Sequence, residues 1–171
     1  MLLEIKYSLA FETRRILETI KKLDWYKRHG YRAGLPKSLN VDDSHVKKIT
    51  RQSIKQILLK EYRKDDYKKA LDKLNRYWKR NSADLSGRLE RPGLKTKKSY
   101  VLILTQYGVN GSYYLPDVIV INFRKKSLKR IFKIIAHEII HLEFEKSAMK
   151  RKLTHEQKEK LVNSIYRKTG L

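Results

Sequence analysis

The chain has 171 residues, no cysteine and a formal net charge of +23 at pH 7. The absence of cysteine excludes disulfides and metal sites built from thiolates, so a metal would have to be bound by histidine and carboxylate side chains. No apolar run is long enough to span a bilayer, and Glu4 and Lys6 interrupt the apolar N-terminal stretch too early for a signal peptide. We therefore expect a cytoplasmic protein without a membrane span.

Three stretches in the N-terminal part have apolar residues at every third or fourth position, which predicts amphipathic helices. The first is one long helix from Leu2 to about Arg28. The second runs from about Asp42 to Lys64, with Asn40 or a nearby aspartate as its cap, and the third from about Asp65 to Arg80. Residues 1–80 are thus expected to form a basic helical region that packs on or covers the remainder.

The composition then changes. Residues 81–99 mix Ser, Gly, Pro and Lys without periodicity, which indicates a linker. Tyr100–Thr105 and Asp117–Phe123 are rich in β-branched and aromatic residues and are predicted strands, with a loop or wide hairpin at Gln106–Pro116. Residues 127–146 follow as a predicted helix that begins at a serine cap. The expected fold class is α+β.

This last helix contains the motif His-Glu-Ile-Ile-His at residues 137–141. His137 and His141 lie one above the other on one helical face, so both imidazoles can reach one metal ion. Glu138 lies beside that face, where its carboxylate can reach a metal-bound water without binding the metal. The other faces are strongly apolar, which indicates a core helix in which these groups need a partner. The alternative is a helix whose histidines and glutamate simply face solvent.

A tetrahedral catalytic zinc needs a third protein ligand, and the final helix offers one. A capping box at residues 154–157 opens that helix. Glu159 is the favoured ligand, because Asn163 lies one turn further on the same face and can accept the free N–H of a ligating histidine. Glu156 and His155 are the alternatives, although the position of Glu156 in the first turn suits a capping or dipole role.

Residues 100–168 resemble the gluzincin metallopeptidases, especially the small single-domain minigluzincins, in which strands precede an H-E-x-x-H helix and a helix with a glutamate ligand. The resemblance implies a zincin-like domain at residues 100–171 that binds Zn²⁺ through His137, His141 and Glu159. Two positions depart from the family. Asn163 stands where the family has aspartate, and Lys158 stands where it has asparagine.

The reaction expected from this site is hydrolysis of peptide bonds in a peptide or protein substrate, with Glu138 as general base towards a zinc-activated water. Tyr113, Tyr114 and Tyr166 are candidates to stabilise an oxyanion, although packing explains a tyrosine equally well. In zincins the strand before the motif helix commonly forms the rim of the cleft and pairs with substrate. Asp117–Phe123 fits that position, or is a central core strand.

The positive charge has a bland explanation, solvated helix faces, and a functional one, a surface for nucleic acid. The N-terminal helices then have three interpretations. They are a scaffold behind the catalytic part, or they recruit a protease to protein bound on nucleic acid. Alternatively, they cover the cleft, with Asp42 and Asp43 near the zinc. The rival function is a basic nucleic-acid-binding protein whose H-E-x-x-H site is structural or inactive. No recognisable DNA-reading module supports it.

Overall fold

A computed structural model describes residues 1–39 and 49–171 of the chain, and the predicted fold class, α+β, is confirmed in them. The strands are β1 (Leu2–Lys6), β2 (Ser99–Thr105), β3 (Gly111–Tyr114) and β4 (Val118–Asn122). The helices are α1 (Leu9–Lys21), α2 (Leu23–Arg28), α3 (Arg51–Glu61), α4 (Lys64–Glu90), α5 (Leu128–Lys150) and α6 (His155–Lys168). In this part of the chain no helix has both the length and the apolar content that crossing a membrane requires.

The N-terminal residues form a strand, so the predicted single helix from Leu2 to Arg28 is wrong. Leu3 and Ile5 are half-buried while their neighbours are exposed, and this alternation is that of a strand with one inward face. The side chain of Ser8 then caps α1, and α2 follows after a break at Lys22. The strand forms because β2 pairs with it from far along the chain.

Helix α4 continues to Glu90, so the predicted linker is wrong over residues 81–90. Leu85 and Leu89 are fully buried and extend the apolar stripe begun by Leu74. Serine and glycine residues away from that stripe give the stretch a loop-like composition, although the buried positions keep a helical period. Only residues 91–98 connect α4 to the sheet without regular structure.

The predicted second helix, Asp42–Lys64, is confirmed over α3. A capping box between Thr50 and Ser53 opens this helix. The predicted cap at Asn40 and the predicted start at Asp42 lie outside the described residues. The predicted third helix, Asp65–Arg80, lies within α4.

The four strands form one sheet in the order β1-β2-β4-β3. Strands β1, β2 and β4 are parallel, and β3 runs antiparallel to β4. The prediction of a loop or wide hairpin between the two C-terminal strands is therefore wrong, because β2 and β4 are parallel neighbours and the connection contains β3. Strand β4 is interior, and the edge of the sheet on that side belongs to β3.

The main hydrophobic core joins α4, α5, α6 and the sheet, and a smaller cluster joins α1 and α3 through residues such as Ile16 and Leu58. Strand β1 belongs to the sheet and α4 to the main core. Residues 1–80 and residues 100–171 therefore contribute to the same sheet and the same hydrophobic core. The compositional change at residues 81–99 does not separate two cores.

Helix α1 is tied to the sheet by two buried charged residues. One carboxylate oxygen of Glu12 accepts hydrogen bonds from the Tyr67 hydroxyl and from Gln106 N. Arg15 donates to Ser112 Oγ at 2.8 Å. Burial raises the pKa of Glu12 to about 7, against the lowering effect of these hydrogen bonds and of Arg15, and its second oxygen has no partner within the described residues. Ionised Glu12 is therefore costly to keep in the fold.

We expect this cost to appear as a dependence of stability on pH. Glu12 is protonated in both states below its unfolded pKa, near 4.5, and the stability it contributes is lost as the pH rises through about 7. Relative to Glu12→Gln, the wild type should lose up to about 3 kcal/mol of unfolding free energy between pH 5 and pH 8. Urea unfolding followed by tryptophan fluorescence measures this difference.

Glu4→Gln is the matched control, because it removes an exposed carboxylate from the outer strand β1. Its unfolding free energy should keep the wild-type dependence on pH. If the difference in unfolding free energy between the wild type and Glu12→Gln is the same at both pH values, the result would contradict the burial of an ionisable group here.

Candidate metal centre

The H-E-x-x-H motif lies in the middle of α5, which is built as the sequence predicts. Ser127 caps the helix by accepting a hydrogen bond from Arg130 N at 3.2 Å. The apolar faces of α5 pack into the core, where Ile135 and Ile139 are fully buried. Both motif histidines therefore lie on the one helical face that is turned away from the core and towards a cleft.

Helix α6 brings the third group. Its predicted capping box, Thr154 with Gln157, is present. The helix packs along α5 so that the Glu159 carboxylate faces both histidines. His141 Nε2 lies 3.3 Å from one carboxylate oxygen, and His137 Nε2 lies 3.7 Å from the other. The two Nε2 atoms are 3.1 Å apart.

The three side chains lie close enough to bind one metal ion, since one ligand atom from each lies within 4.8 Å of the others. Zinc bonds of about 2.0–2.1 Å at tetrahedral angles place any two ligand atoms about 3.3 Å apart. The two Nε2 atoms, 3.1 Å apart, and the 3.3 Å contact between His141 Nε2 and one oxygen of Glu159 lie close to that value, whereas the 3.7 Å contact of His137 is with the other oxygen. Within the described residues, His137, His141 and Glu159 form a group that could hold a metal ion. Two imidazoles and one carboxylate leave a fourth position open for water.

The Glu159 carboxylate is suited to bind a cation. Burial alone would raise its pKa, but contacts with His137 and His141 outweigh burial and hold the pKa well below its usual range. Glu159 is therefore ionised at neutral pH, as a metal ligand must be.

The alternative ligands lie elsewhere. Glu156 is exposed, and His155 contacts the Tyr31 hydroxyl through Nε2 at 3.0 Å. Asn163 lines the same cleft as Glu159. Within residues 1–39 and 49–171, however, its side chain hydrogen-bonds to neither motif histidine, so no contact supports the orienting role predicted for it.

Glu138 lies behind the metal group, against strand β3. Its side chain is buried, with 7% of the residue exposed. A Cβ atom on Gly111 would lie 2.3 Å from Glu138 Oε1, so only glycine lets the strand approach this carboxylate so closely. Burial raises the pKa of Glu138, and the neighbouring histidines oppose the rise. A carboxylate with a raised pKa is a stronger base when ionised.

A chain of contacts around His141 ties β3, α5 and α6 together, and sequence reasoning missed it. The Tyr113 ring stacks on the His141 imidazole, with centroids 4.8 Å apart, and its hydroxyl donates to Glu145 at 2.7 Å. Lys158 donates to the other oxygen of Glu145. The signal for Glu145 was its spacing of one turn from His141. Lys158, a departure from the gluzincin pattern, thus positions the helix that carries Glu159.

Tyr31 is a further site residue that the sequence did not reveal. Its hydroxyl contacts His155 across 124 residues of sequence. Burial, followed by the charges of Glu159 and Glu138, raises the pKa of Tyr31 to about 12, so the phenol keeps its proton. A pair of backbone hydrogen bonds between Gly34 and Gly108 anchors the segment behind it to the β2–β3 connection.

The cleft has a volume of about 960 Å³ and passes over the metal group. The end of α1, α2 and the segment around Tyr31 form one wall, and α5, α6 and β3 contribute the remainder. The N-terminal part therefore belongs to the cleft itself. The predicted approach of Asp42 and Asp43 lies outside the described residues. Tyr113 and Tyr166 line the cleft, whereas the Tyr114 hydroxyl donates to Glu18.

Comparisons of the chain with protein-family models, with curated proteins and with solved structures found no match. What the site can do is therefore inferred from its own geometry.

We expect Glu159 to be essential for metal binding and Glu156 to be dispensable. Glu159→Gln should weaken zinc binding by more than about 100-fold, because even loss of a group that only supports a ligand costs 10- to 100-fold. Titration calorimetry against a competing chelator measures the affinity. Glu156→Gln changes a glutamate three residues earlier on the same helix and should bind zinc as the wild type does. Equal affinities in the two variants would contradict the assignment.

Proposed function

We propose that this protein is a zinc metallopeptidase of the gluzincin type, which hydrolyses peptide bonds with Glu138 as general base. The observation that carries the proposal is the convergence of His137, His141 and Glu159 within metal-binding distances, beside a buried glutamate that is not part of the group. A purely structural zinc site is closed by a fourth protein ligand. The open cleft over this group favours a catalytic site.

Zinc bound by the two histidines and Glu159 would lower the pKa of a water molecule and polarise a carbonyl group. The chain's own residues then move the proton. Glu138 accepts the proton of the attacking water and delivers it to the leaving amine. Its buried position and raised pKa favour the first step, because a carboxylate with a raised pKa is a stronger base when ionised.

Strand β3 is suited to hold the substrate. It is the edge of the sheet, and Gly111, Ser112 and Tyr113 line the cleft. An edge strand has free backbone donors and acceptors, which bind an extended peptide by adding a strand. We assign this role to β3 instead of Asp117–Phe123, because β4 has a neighbour on each side.

Tyr31 is the candidate to stabilise the oxyanion. Its hydroxyl lies beside Glu159 in the cleft and remains protonated, as a hydrogen-bond donor to developing negative charge must be. Tyr113 also lines the cleft, and its hydroxyl donates to Glu145.

The order of elements also supports the gluzincin type. Strands with an antiparallel edge precede the helix that bears the motif, and a helix with a glutamate at the site follows. Asn163 differs from the family's aspartate and hydrogen-bonds to neither motif histidine within the described residues, so we assign it no role in orienting a ligand.

We expect Glu138→Gln to separate metal binding from catalysis. The variant should hold zinc at the wild-type stoichiometry, because Glu138 is not a ligand, and should cleave casein or a fluorogenic peptide about 100- to 10,000-fold more slowly. Bound zinc is measured by atomic emission and cleavage by fluorescence. A wild-type protein without stoichiometric zinc, or a variant with full activity, would exclude the mechanism.

A second candidate function is nucleic-acid binding, alone with an inactive metal site or to recruit the peptidase to nucleic-acid-bound protein. A groove of about 680 Å³ between α4 and the start of α5 favours it. Five basic residues and one acidic residue line this groove: Lys69, Lys73, Arg124, Lys125, Lys126 and Asp66. Such a surface attracts a phosphate backbone.

We expect plain duplex DNA to test this candidate. If it holds, the protein should retard the duplex at low salt, and the affinity should fall steeply as salt rises, because binding releases counterions. Lys69→Gln with Lys73→Gln should reduce the salt dependence. No retardation at low salt would remove this function.

A further inference from the structure

The charges that line the catalytic cleft have one sign. Outside the metal centre, the side chains with a permanent charge that line the cleft are all cationic within the described residues. They are Lys21, Lys22, Arg32, Arg130 and Lys133. The acidic residues of the cleft are Glu138 and Glu159, and both belong to the metal centre and its base.

These cations come from separate elements. Lys21 and Lys22 end α1, Arg32 follows α2, and Arg130 and Lys133 lie on α5. Within the part of the chain that the structure describes, none of the five forms an ion pair. No carboxylate of the described residues therefore neutralises these charges, which favours their availability to a ligand.

The two cations on α5 are placed in line with the metal centre. Lys133 precedes His137 by four residues and Arg130 precedes it by seven, so all three lie on one face of the helix. One helical turn rises about 5.4 Å, so the two cations lie about one and two turns from the metal-binding histidine. That spacing matches the side chains of a bound peptide within a few residues of the scissile bond.

The high net charge of the chain makes single surface cations common, so their number alone carries little weight. The informative features are the concave setting and, among residues 1–39 and 49–171, the absence of acidic partners. A cleft lined by one sign of charge, with low-dielectric walls, concentrates the field and attracts ligands of the opposite sign.

We propose that the cleft selects acidic peptide segments, with aspartate or glutamate residues near the scissile bond paired to Arg130 and Lys133 and to the cations of the N-terminal wall. The inference rests on the proposed peptidase function and names its substrate class. An acidic peptide is favoured over single-stranded nucleic acid, because the free edge of β3 binds a peptide backbone and not a sugar-phosphate backbone.

Peptide binding to the Glu138→Gln protein, equilibrated with zinc, tests the proposal. Three labelled peptides of equal length carry glutamate, glutamine or lysine at the same positions, and fluorescence anisotropy gives their affinities at low and high salt. The glutamate peptide should bind at least about tenfold more tightly than the glutamine peptide at low salt, and salt should reduce this difference.

Paired substitutions locate the effect. Arg130→Gln with Lys133→Gln should weaken the glutamate peptide about tenfold and leave the glutamine peptide unchanged. Lys69→Gln with Lys73→Gln is the matched control, because it removes the same charge from the second groove and should change binding less than about twofold. Equal affinity for glutamate and glutamine peptides, or an equal loss in both double variants, would overturn the proposal. So would an oligothymidylate that binds more tightly than the glutamate peptide and depends on Arg130 and Lys133.

Two further measurements separate this inference from the proposed function. Bound zinc is quantified in the same samples, and wild-type protein is assayed for cleavage of the glutamate and glutamine peptides. Selective glutamate binding without zinc and without cleavage would uphold the charge selection and exclude the peptidase. Equal binding and equal kcat/KM for both peptides would uphold the peptidase and exclude the charge selection.

Discussion

The convergence of two imidazoles and a carboxylate on one point is the constraint around which the structure is organised. Polar groups in an apolar helix are costly unless a partner satisfies them, and His141 is only 5% exposed. Helix α6 supplies Glu159, and its Lys158 contacts Glu145 of α5. The Tyr113 hydroxyl of β3 donates to the same carboxylate. Each of these contacts joins a different element to the motif helix. The packing of these elements thus sets the positions of the three side chains that could hold a metal ion.

The same constraint explains why the N-terminal part cannot be separated from the site. Strand β3 must approach Glu138 closely, and Gly111 permits that approach. Arg15 from α1 donates to the side chain of Ser112 in the same strand, so the helix holds the strand in place. Helix α1 also ends at the cleft and contributes its cations there. The N-terminal part, which the sequence presents as a basic appendage, is in the fold a support and a wall of the cleft beside the candidate metal site.

The same electrostatics bear on the proposed base and on the proposed substrate class. Burial raises the pKa of Glu138, while the histidines and, more weakly, Arg15 oppose that rise. The cations of the cleft act in the same direction, since a positive surrounding favours an ionised base and an anionic ligand alike. Among the described residues, the acidic side chains that line the cleft are those of Glu159, in the candidate metal group, and Glu138 beside it. A positive cleft around a small acidic centre is consistent with a hydrolase that binds acidic chains.

The sequence by itself determined the features that depend on neighbours within a turn of helix. The cap at Ser127, the capping box at Thr154 and the spacing of His137 and His141 are all local, so periodicity and cap chemistry predict them. The meeting of Glu159 with the two histidines depends on how α6 packs on α5. The tertiary structure decided the features that join distant segments. Leu2 pairs with Ser99, and Tyr31 contacts His155, although nothing in either local pattern indicates the partner. Strand pairing and the closing of a cleft depend on which apolar surfaces remain to be buried once the helices have formed. Those surfaces come from segments far apart in the chain, so no local pattern predicts how they pair.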